Sequence, residues 1–185
     1  VSIPNNLKNI DLKNYLRKKN FKYFCGSEND VLKRFFMTAK EFKADTVVRI
    51  TADCPLIDYK IIDKMLDIYH NSNLDLISNT ITPTFPDGLD VEIFNFKLLK
   101  KSHFLAKSNF DREHVTPFMY RNVNLKKKNY FNNINYSNVR LTVDEKNDLK
   151  NINQIIKKIK TKNFDWKNII KILNKDKKLM KKFTN

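Results

Sequence analysis

Glycine is nearly missing from this 185-residue chain, which has only Gly26 and Gly88. That excludes a glycine-rich phosphate loop within these residues, because such a loop needs several positions free of a side chain. Cysteine is equally scarce, with Cys25 and Cys54 alone. Two thiols outside any metal-binding spacing exclude a disulfide scaffold and fit a reducing, cytoplasmic setting. No apolar run approaches the roughly 20 residues of a membrane helix, and the first residues lack the pattern of a secretory signal. Arginine is also short, supplying six of the 36 basic residues.

What is present is a globular composition, 41% hydrophobic and 30% charged, which excludes a disordered chain. The length suits one domain, 1–185, with a sizeable core. The net charge of +16 invites a nucleic-acid reading, but its texture argues against one. Arginine is the side chain suited to bidentate phosphate and base recognition, whereas here the charge is mostly lysine. Lys, Asn, Ile and Phe are all abundant, as codon drift in an AT-rich genome produces. A solvated basic surface is therefore expected, with no specific nucleic acid and no membrane as partner.

The densest information lies in residues 47–58, where the β-branched run Val47-Val48-Arg49-Ile50-Thr51 leads to Ala52-Asp53-Cys54-Pro55. A buried strand over 46–50 is expected, then a helix capped by Asp58 with Ile61, Ile62, Met65, Leu66 and Tyr69 inward. In an open α/β sheet, ligands sit beyond the carboxyl ends of strands, so Asp53 is placed to hold a metal or phosphate ligand. Residues 136–142 read as a second strand, ending at Val143-Asp144-Glu145, where a helix over 145–160 opens. Two converging strand-end acids hold Mg²⁺ through hard oxygen ligands, although either acid alone is equally explained as a helix cap.

Elsewhere, helices are expected over 11–19, 29–42, 97–107, 112–121 and 166–173, and strands over 21–25 and 74–78. The alternation predicts a mostly parallel α/β sheet with right-handed crossovers. The 26–30 turn, Gly-Ser-Glu-Asn-Asp, offers backbone N–H groups at a helix start, with Ser27 or Asn29 as its cap. In Pro86-Asp87-Gly88-Leu89-Asp90-Val91-Glu92 a turn meets a strand, and Asp90 and Glu92 share one face. Those two acids suit a polar ligand; an exposed edge strand accounts for them as well. Asp111 reads as the N-cap of the 112–121 helix, whose start carries Arg112, Glu113 and His114. His70 and His103 read as solvent-facing.

Five segments in order carry a resemblance: Gly-Ser-Glu-x-Asp-Val-Leu (26–32), Val-Val-Arg-Ile-Thr-x-Asp-Cys-Pro-Leu-Ile-Asp (47–58), Pro-Asp-Gly-Leu-Asp-Val-Glu (86–92), Arg-Glu-His-Val-Thr-Pro (112–117) and Arg-Leu-Thr-Val-Asp-Glu (140–145). Together they resemble the spore-coat-polysaccharide branch of the cytidylyltransferases, related to the CMP-KDO and CMP-acylneuraminate synthetases, through to Asn185. The resemblance implies an α/β, Rossmann-like (GT-A-like) nucleotidyltransferase three-layer sandwich. It also implies transfer of CMP from CTP to a sugar, an acidic one by this reading, with release of pyrophosphate for surface polysaccharide or glycoconjugate synthesis. A homodimer is compatible with it. In these terms Asp53 and Asp144 are catalytic and hold Mg²⁺. Gly26, Ser27, Asp30 and Arg34 face the nucleotide. Asp87, Asp90, Glu92, Arg112, Glu113 and His114 face the sugar, with the arginine suited to a carboxylate.

The family's first strand and its Arg-Leu-Pro-Gly-Lys-like loop have no counterpart here. The chain is thus expected to be N-terminally truncated, the C-terminal three quarters of the family domain, and inactive alone. Ala52 stands where relatives usually carry Gly. The rival readings are a glycosyltransferase with a nucleotide-sugar donor, which would show an Asp-x-Asp motif, and a basic nucleic-acid-binding protein, which would show arginines interleaved with aromatics. The sequence has neither feature.

Overall fold

A computed structural model describes residues 1–159 and 165–184. Its strands are β1 (Ser2–Pro4), β2 (Phe24–Gly26), β3 (Thr46–Arg49), β4 (Leu76–Ser78), β5 (Glu92–Asn95) and β6 (Lys127–Asn129). Its helices are α1 (Ile10–Lys18), α2 (Val31–Glu41), α3 (Tyr59–His70), α4 (Phe96–Leu105), α5 (Asn109–His114), α6 (Pro117–Arg121), α7 (Lys146–Lys158), α8 (Trp166–Lys175) and α9 (Lys177–Met180). The expected end of the seventh helix at Lys160 and the reach of the resemblance to Asn185 lie outside the described residues. No helix among them is long and apolar enough to cross a membrane. Two compact units emerge, Val1–Val47 with Phe94–Lys126, and Val48–Ile93 with Lys127–Asn185.

In the first unit, β1 and β2 pair in parallel, with Ile3 opposite Cys25. The helix α2 packs against this pair and against α4 and α5. Its residues Leu32, Phe36 and Ala39 recur at helical spacing and are buried. Phe36 stacks on His103 at 4.5 Å and on Phe96 at 5.7 Å. His103 is therefore half-buried in an aromatic stack, not solvent-facing as its lysine-rich surroundings suggested. The expected 112–121 helix is two helices. Pro117 has no N–H to continue the ladder and its ring would clash with the preceding turn, so α5 ends and α6 restarts at Pro117. Val115 takes φ 73° at the break. The cap of α5 is Ser108, whose hydroxyl accepts from the Asp111 N–H at 3.1 Å. Asp111 sits one turn inside, accepting from Ser108 and from Arg121 at 2.6 and 2.7 Å.

The second unit holds one contiguous core, with Ile61, Met65, Ile77, Leu89, Val91, Ile93, Leu141, Ile152, Ile155, Ile169 and Leu173 among its buried members. Strand β4 pairs in parallel with β6, and the larger sheet runs β3-β5-β4-β6. Strand β5 is thus an interior strand rather than an exposed edge, and Glu92 is only 3% exposed. The strand expected over 136–142 does not form. Tyr136, Ser137 and Asn138 make a turn closed by the Val139 N–H on the Tyr136 carbonyl at 2.9 Å. Beyond that turn the chain is extended but bonds to loops instead of to a strand.

Asp58 begins α3 as expected and also does something the sequence did not suggest. One carboxylate oxygen accepts from the Lys60 N–H at 2.9 Å, and the other accepts from the Trp166 N–H at 2.9 Å, 108 residues away. One buried carboxylate thereby joins the starts of α3 and α8. Asp58→Ala takes the acceptor away from the Lys60 N–H at the start of α3 and from the buried Trp166 N–H, and lowers stability by about 3 kcal/mol, a cap plus a buried charge-assisted bond. Thermal melts monitored by circular dichroism should show the loss; a shift under about 1 °C would remove this joining role.

Candidate active site

The extended stretch after Val139 brings two loops of the second unit side by side. The Asp87 N–H donates to the Val139 carbonyl at 2.9 Å, and the Leu141 N–H donates to the Asp87 carbonyl at 2.7 Å. Two residues on, the Val143 N–H donates to the Asp53 carbonyl at 2.9 Å. Asp53 and Asp144 are thus drawn together by irregular chain, not as the ends of neighbouring parallel strands, which corrects the sequence expectation. Gly88 makes the turn possible. Its φ is +97°, and a Cβ there would lie 2.9 Å from the Leu141 carbonyl carbon.

The carboxylates gathered by this stretch interact. Burial pushes Asp90 up to about 6, reinforced by the charges of Asp87, Glu92 and Asp53 and opposed by Arg49. Burial also raises Asp87; Arg140 opposes the rise, while Asp53 and Asp144 add to it. Glu92 is buried against Arg49, whose guanidinium donates to it. Cys54 is buried beside them, and its thiol is pushed up to about 12 by burial and by the charges of Asp53 and Asp90. It stays a neutral donor, 3.6 Å from Asp53 Oδ1. Sequence reading missed Arg49, although a charged residue inside an apolar run signals a need for a buried partner.

Asp144 is exposed, and one of its oxygens, Oδ2, is taken by the Arg140 guanidinium and lies 3.4 Å from the Thr142 hydroxyl. Arg140 also forks onto Asp148, with Nη1 and Nη2 each 3.2 Å from its two oxygens. Asp148 in turn accepts from the backbone N–H groups of Asp144 at 3.0 Å and Glu145 at 2.9 Å. This is the capping box of α7. Asp148 was also missed, and the Glu-x-x-acid spacing from Glu145 was the available signal.

The first unit holds the other predicted residues. Asp30, not Ser27 or Asn29, caps α2, accepting from the Lys33 N–H at 2.9 Å. Ser27 accepts from the Asp30 N–H at 3.0 Å. Arg34 Nη1 donates back to the carbonyls of Ser27 and Glu28. It braces the 26–30 loop from beneath, and Gly26 is small because a Cβ would meet Arg34 Cγ at 2.9 Å. Arg112 is bonded within the unit too. Its Nε donates to Asp30 at 2.8 Å and Nη2 lies 2.7 Å from the same carboxylate. Nη1 donates to the carbonyls of His103 and Ala106 at 3.1 and 2.9 Å, and Nη2 reaches His103 Nδ1 at 3.3 Å. Arg112 thus ties α5 to the cap of α2 through contacts that all lie within the first unit. Glu113 and His114 are exposed on the last turn of α5.

Comparison with known proteins sets this geometry in context. Residues 11–181 match the family described as Cytidylyltransferase. The chain belongs to the cytidylyltransferase family. It is 38% identical over 156 residues to an uncharacterized protein, MJ1063, of Methanocaldococcus jannaschii, covering 83% of this chain and 63% of that protein. It is 31% identical over 148 residues to the spore coat polysaccharide biosynthesis protein SpsF of Bacillus subtilis, covering 76% of this chain and 59% of that one. The chain therefore spans about three fifths of the length of these two relatives. The solved structure of a cytidylyltransferase from Leptospira borgpetersenii superposes with a TM-score of 0.93 at 29% identity, covering 99% of this chain and 79% of that one. The mixed α/β, mostly parallel fold of this cytidylyltransferase chain is thus the nucleotidyltransferase fold that the resemblance implied.

The gathered acids have measurable effects on stability. Between about pH 4 and pH 6 the folded chain keeps a proton on Asp90 that the unfolded chain releases. Asp90 therefore lowers stability as pH rises through that window, and the deficit persists above it. Asp90→Asn should raise the melting temperature at about pH 7.5 by a few degrees, about 1 kcal/mol once solvent screening is allowed for, and leave it unchanged at about pH 4. Equal melting at both values would show that Asp90 ionises without penalty. Gly88→Ala should lower stability by about 2 kcal/mol or more, from positive φ and backbone crowding together. A neutral substitution would contradict the turn as described.

Proposed function

We propose that a protein carrying this chain transfers CMP from CTP to a sugar hydroxyl, releasing pyrophosphate, in the synthesis of a surface polysaccharide or related glycoconjugate. The observation that carries the reading is the pairing of the Asp53 and 142–144 segments beneath a group of desolvated acids, in a chain of the cytidylyltransferase family. SpsF, by its name a spore coat polysaccharide biosynthesis protein, supports the polysaccharide context.

Asp53 and Asp144 are proposed to hold Mg²⁺. Among the described residues no three His, Cys, Asp or Glu side chains form a ready-made cage. Mg²⁺ nevertheless suits one or two carboxylates, because it retains waters and takes substrate phosphate oxygens as its other ligands. Burial raises Asp87 and Asp90, and the neighbouring carboxylates add to the rise; a cation would relieve that added repulsion. When bound, the ion supplies Lewis-acid polarisation of the α-phosphate.

The chain's own residues position and shield. Arg49 neutralises Glu92 and keeps the acidic group from collapsing under its own repulsion. Cys54, its thiol raised by burial, lies 3.6 Å from Asp53 Oδ1 and adds no negative charge there. Asp87 and Asp90 are proposed to accept hydrogen bonds from sugar hydroxyls. Separately, in the first unit, the 26–30 loop is proposed to meet the nucleotide with backbone N–H groups, held by Arg34 from below and by Asp30 through Arg112. Positioning and charge neutralisation of this kind carry most of the catalysis of such displacements.

In a polypeptide that contains these residues and turns over CTP, Asp53→Asn should slow pyrophosphate release by about 10³, roughly 4 kcal/mol. Melting temperature should be preserved. A variant within a few-fold of its parent would remove Asp53 from the chemistry. Failure of CTP to support release with any of a panel of acidic and neutral sugars would overturn the transfer reaction itself.

A further inference from the structure

Arg140 faces three acids at once, and the way it divides its donors bears on Asp144. On Asp144 the guanidinium takes Oδ2, the oxygen that also lies 3.4 Å from the Thr142 hydroxyl. Asp144 Oδ1 has no partner among the described residues, and the side chain is 57% exposed. On the other side Arg140 is matched by both oxygens of Asp148, which is only 17% exposed. Asp148 anchors that arrangement to the backbone by accepting from the N–H groups of Asp144 and Glu145. Asp87, bridged to Arg140 through the backbone, completes the acids around it.

We propose that the Arg140–Asp148 pair positions the second metal-binding acid: it pins one oxygen of Asp144 and presents the other to a divalent cation. The inference rests on the reading of Asp53 and Asp144 as Mg²⁺ ligands. A carboxylate free to rotate would have to be ordered when the ion binds; one already held by a guanidinium N–H and a hydroxyl needs less ordering. Asp148 is needed for a second reason. Without it the guanidinium would stand beside the ion as an uncompensated positive charge, whereas with it the pair is close to neutral. Arginine suits the role because its planar fork spans two carboxylates; an ammonium is a point charge and satisfies one at a time.

The test is Mn²⁺ binding to the chain itself, followed by the loss of the free-ion electron paramagnetic resonance signal, well below the melting temperature. Arg140→Gln and Asp148→Asn should each raise the Mn²⁺ dissociation constant by about 10-fold or more. Arg140→Lys should fall between parent and Arg140→Gln. A residue that served only the α7 cap would lower the melting temperature without moving this constant. If Asp144→Asn weakens Mn²⁺ binding but Arg140→Gln and Asp148→Asn bind as the parent or tighter, the positioning role is wrong and the metal reading stands. If Asp53→Asn and Asp144→Asn bind Mn²⁺ as well as the parent, or the parent binds none with or without pyrophosphate present, the metal reading fails and this inference with it. Should Arg140→Gln not fold, Arg140→Lys and Asp148→Asn decide between the same outcomes.

Discussion

Like-charged carboxylates do not gather by themselves, and in the second unit backbone hydrogen bonds gather them. The stretch after Val139 bonds to Asp87 in both directions and then to the Asp53 carbonyl. Each such bond contributes on the order of 1 kcal/mol, comparable to the repulsion between two partly screened acids. The bonds are kept in register because Leu89, Val91 and Leu141 between them are fully buried. Apolar packing thus sets where the acids stand, and the acids bear the cost in raised proton affinity.

The positive charge of the chain is distributed in a way that its total conceals. A net +16 lies mostly on lysines, while the positive groups inside the acidic region are Arg49 and Arg140. Each is committed to a carboxylate, Arg49 to buried Glu92 and Arg140 to Asp144 and Asp148. Removing either member of the buried pair would take away the charge that the other faces, which costs more than removing an exposed lysine. The composition speaks to the surface; two arginines speak to the site.

Helical periodicity was legible in the sequence, and so was the cap of α3 at Asp58. The first turns of α2 and α3, the inward face Ile61, Met65 and Tyr69, and the start of α7 at Glu145 all come from local spacing. What could not be read was any structure whose partner is distant. Residues 136–142 have strand-like composition, yet their hydrogen-bonding partners are loops around Asp87 and Asp53, so no ladder forms. The second bond of Asp58 crosses 108 residues and leaves no local trace. His103 looked solvated because its neighbours in sequence are lysines, whereas its neighbours in space are Phe36 and Arg112.

Motif order and residue role are separate kinds of information, and the arginines show why. Arg34, Arg112 and Arg140 all lie in or beside segments that carry the family resemblance, and from sequence Arg34 reads as facing the nucleotide and Arg112 the sugar. Counting donors separates them. Arg112 has five N–H groups and five contacts, so a substrate would have to displace Asp30, two carbonyls or His103 to reach it. Arg34 is buried and spends Nη1 on the loop it supports. Arg140 alone of the three holds an acid that keeps an open oxygen. On the proposed metal reading, the guanidinium that bears on chemistry is the one that acts through Asp144, while Arg112 as it stands braces α5 against the cap of α2.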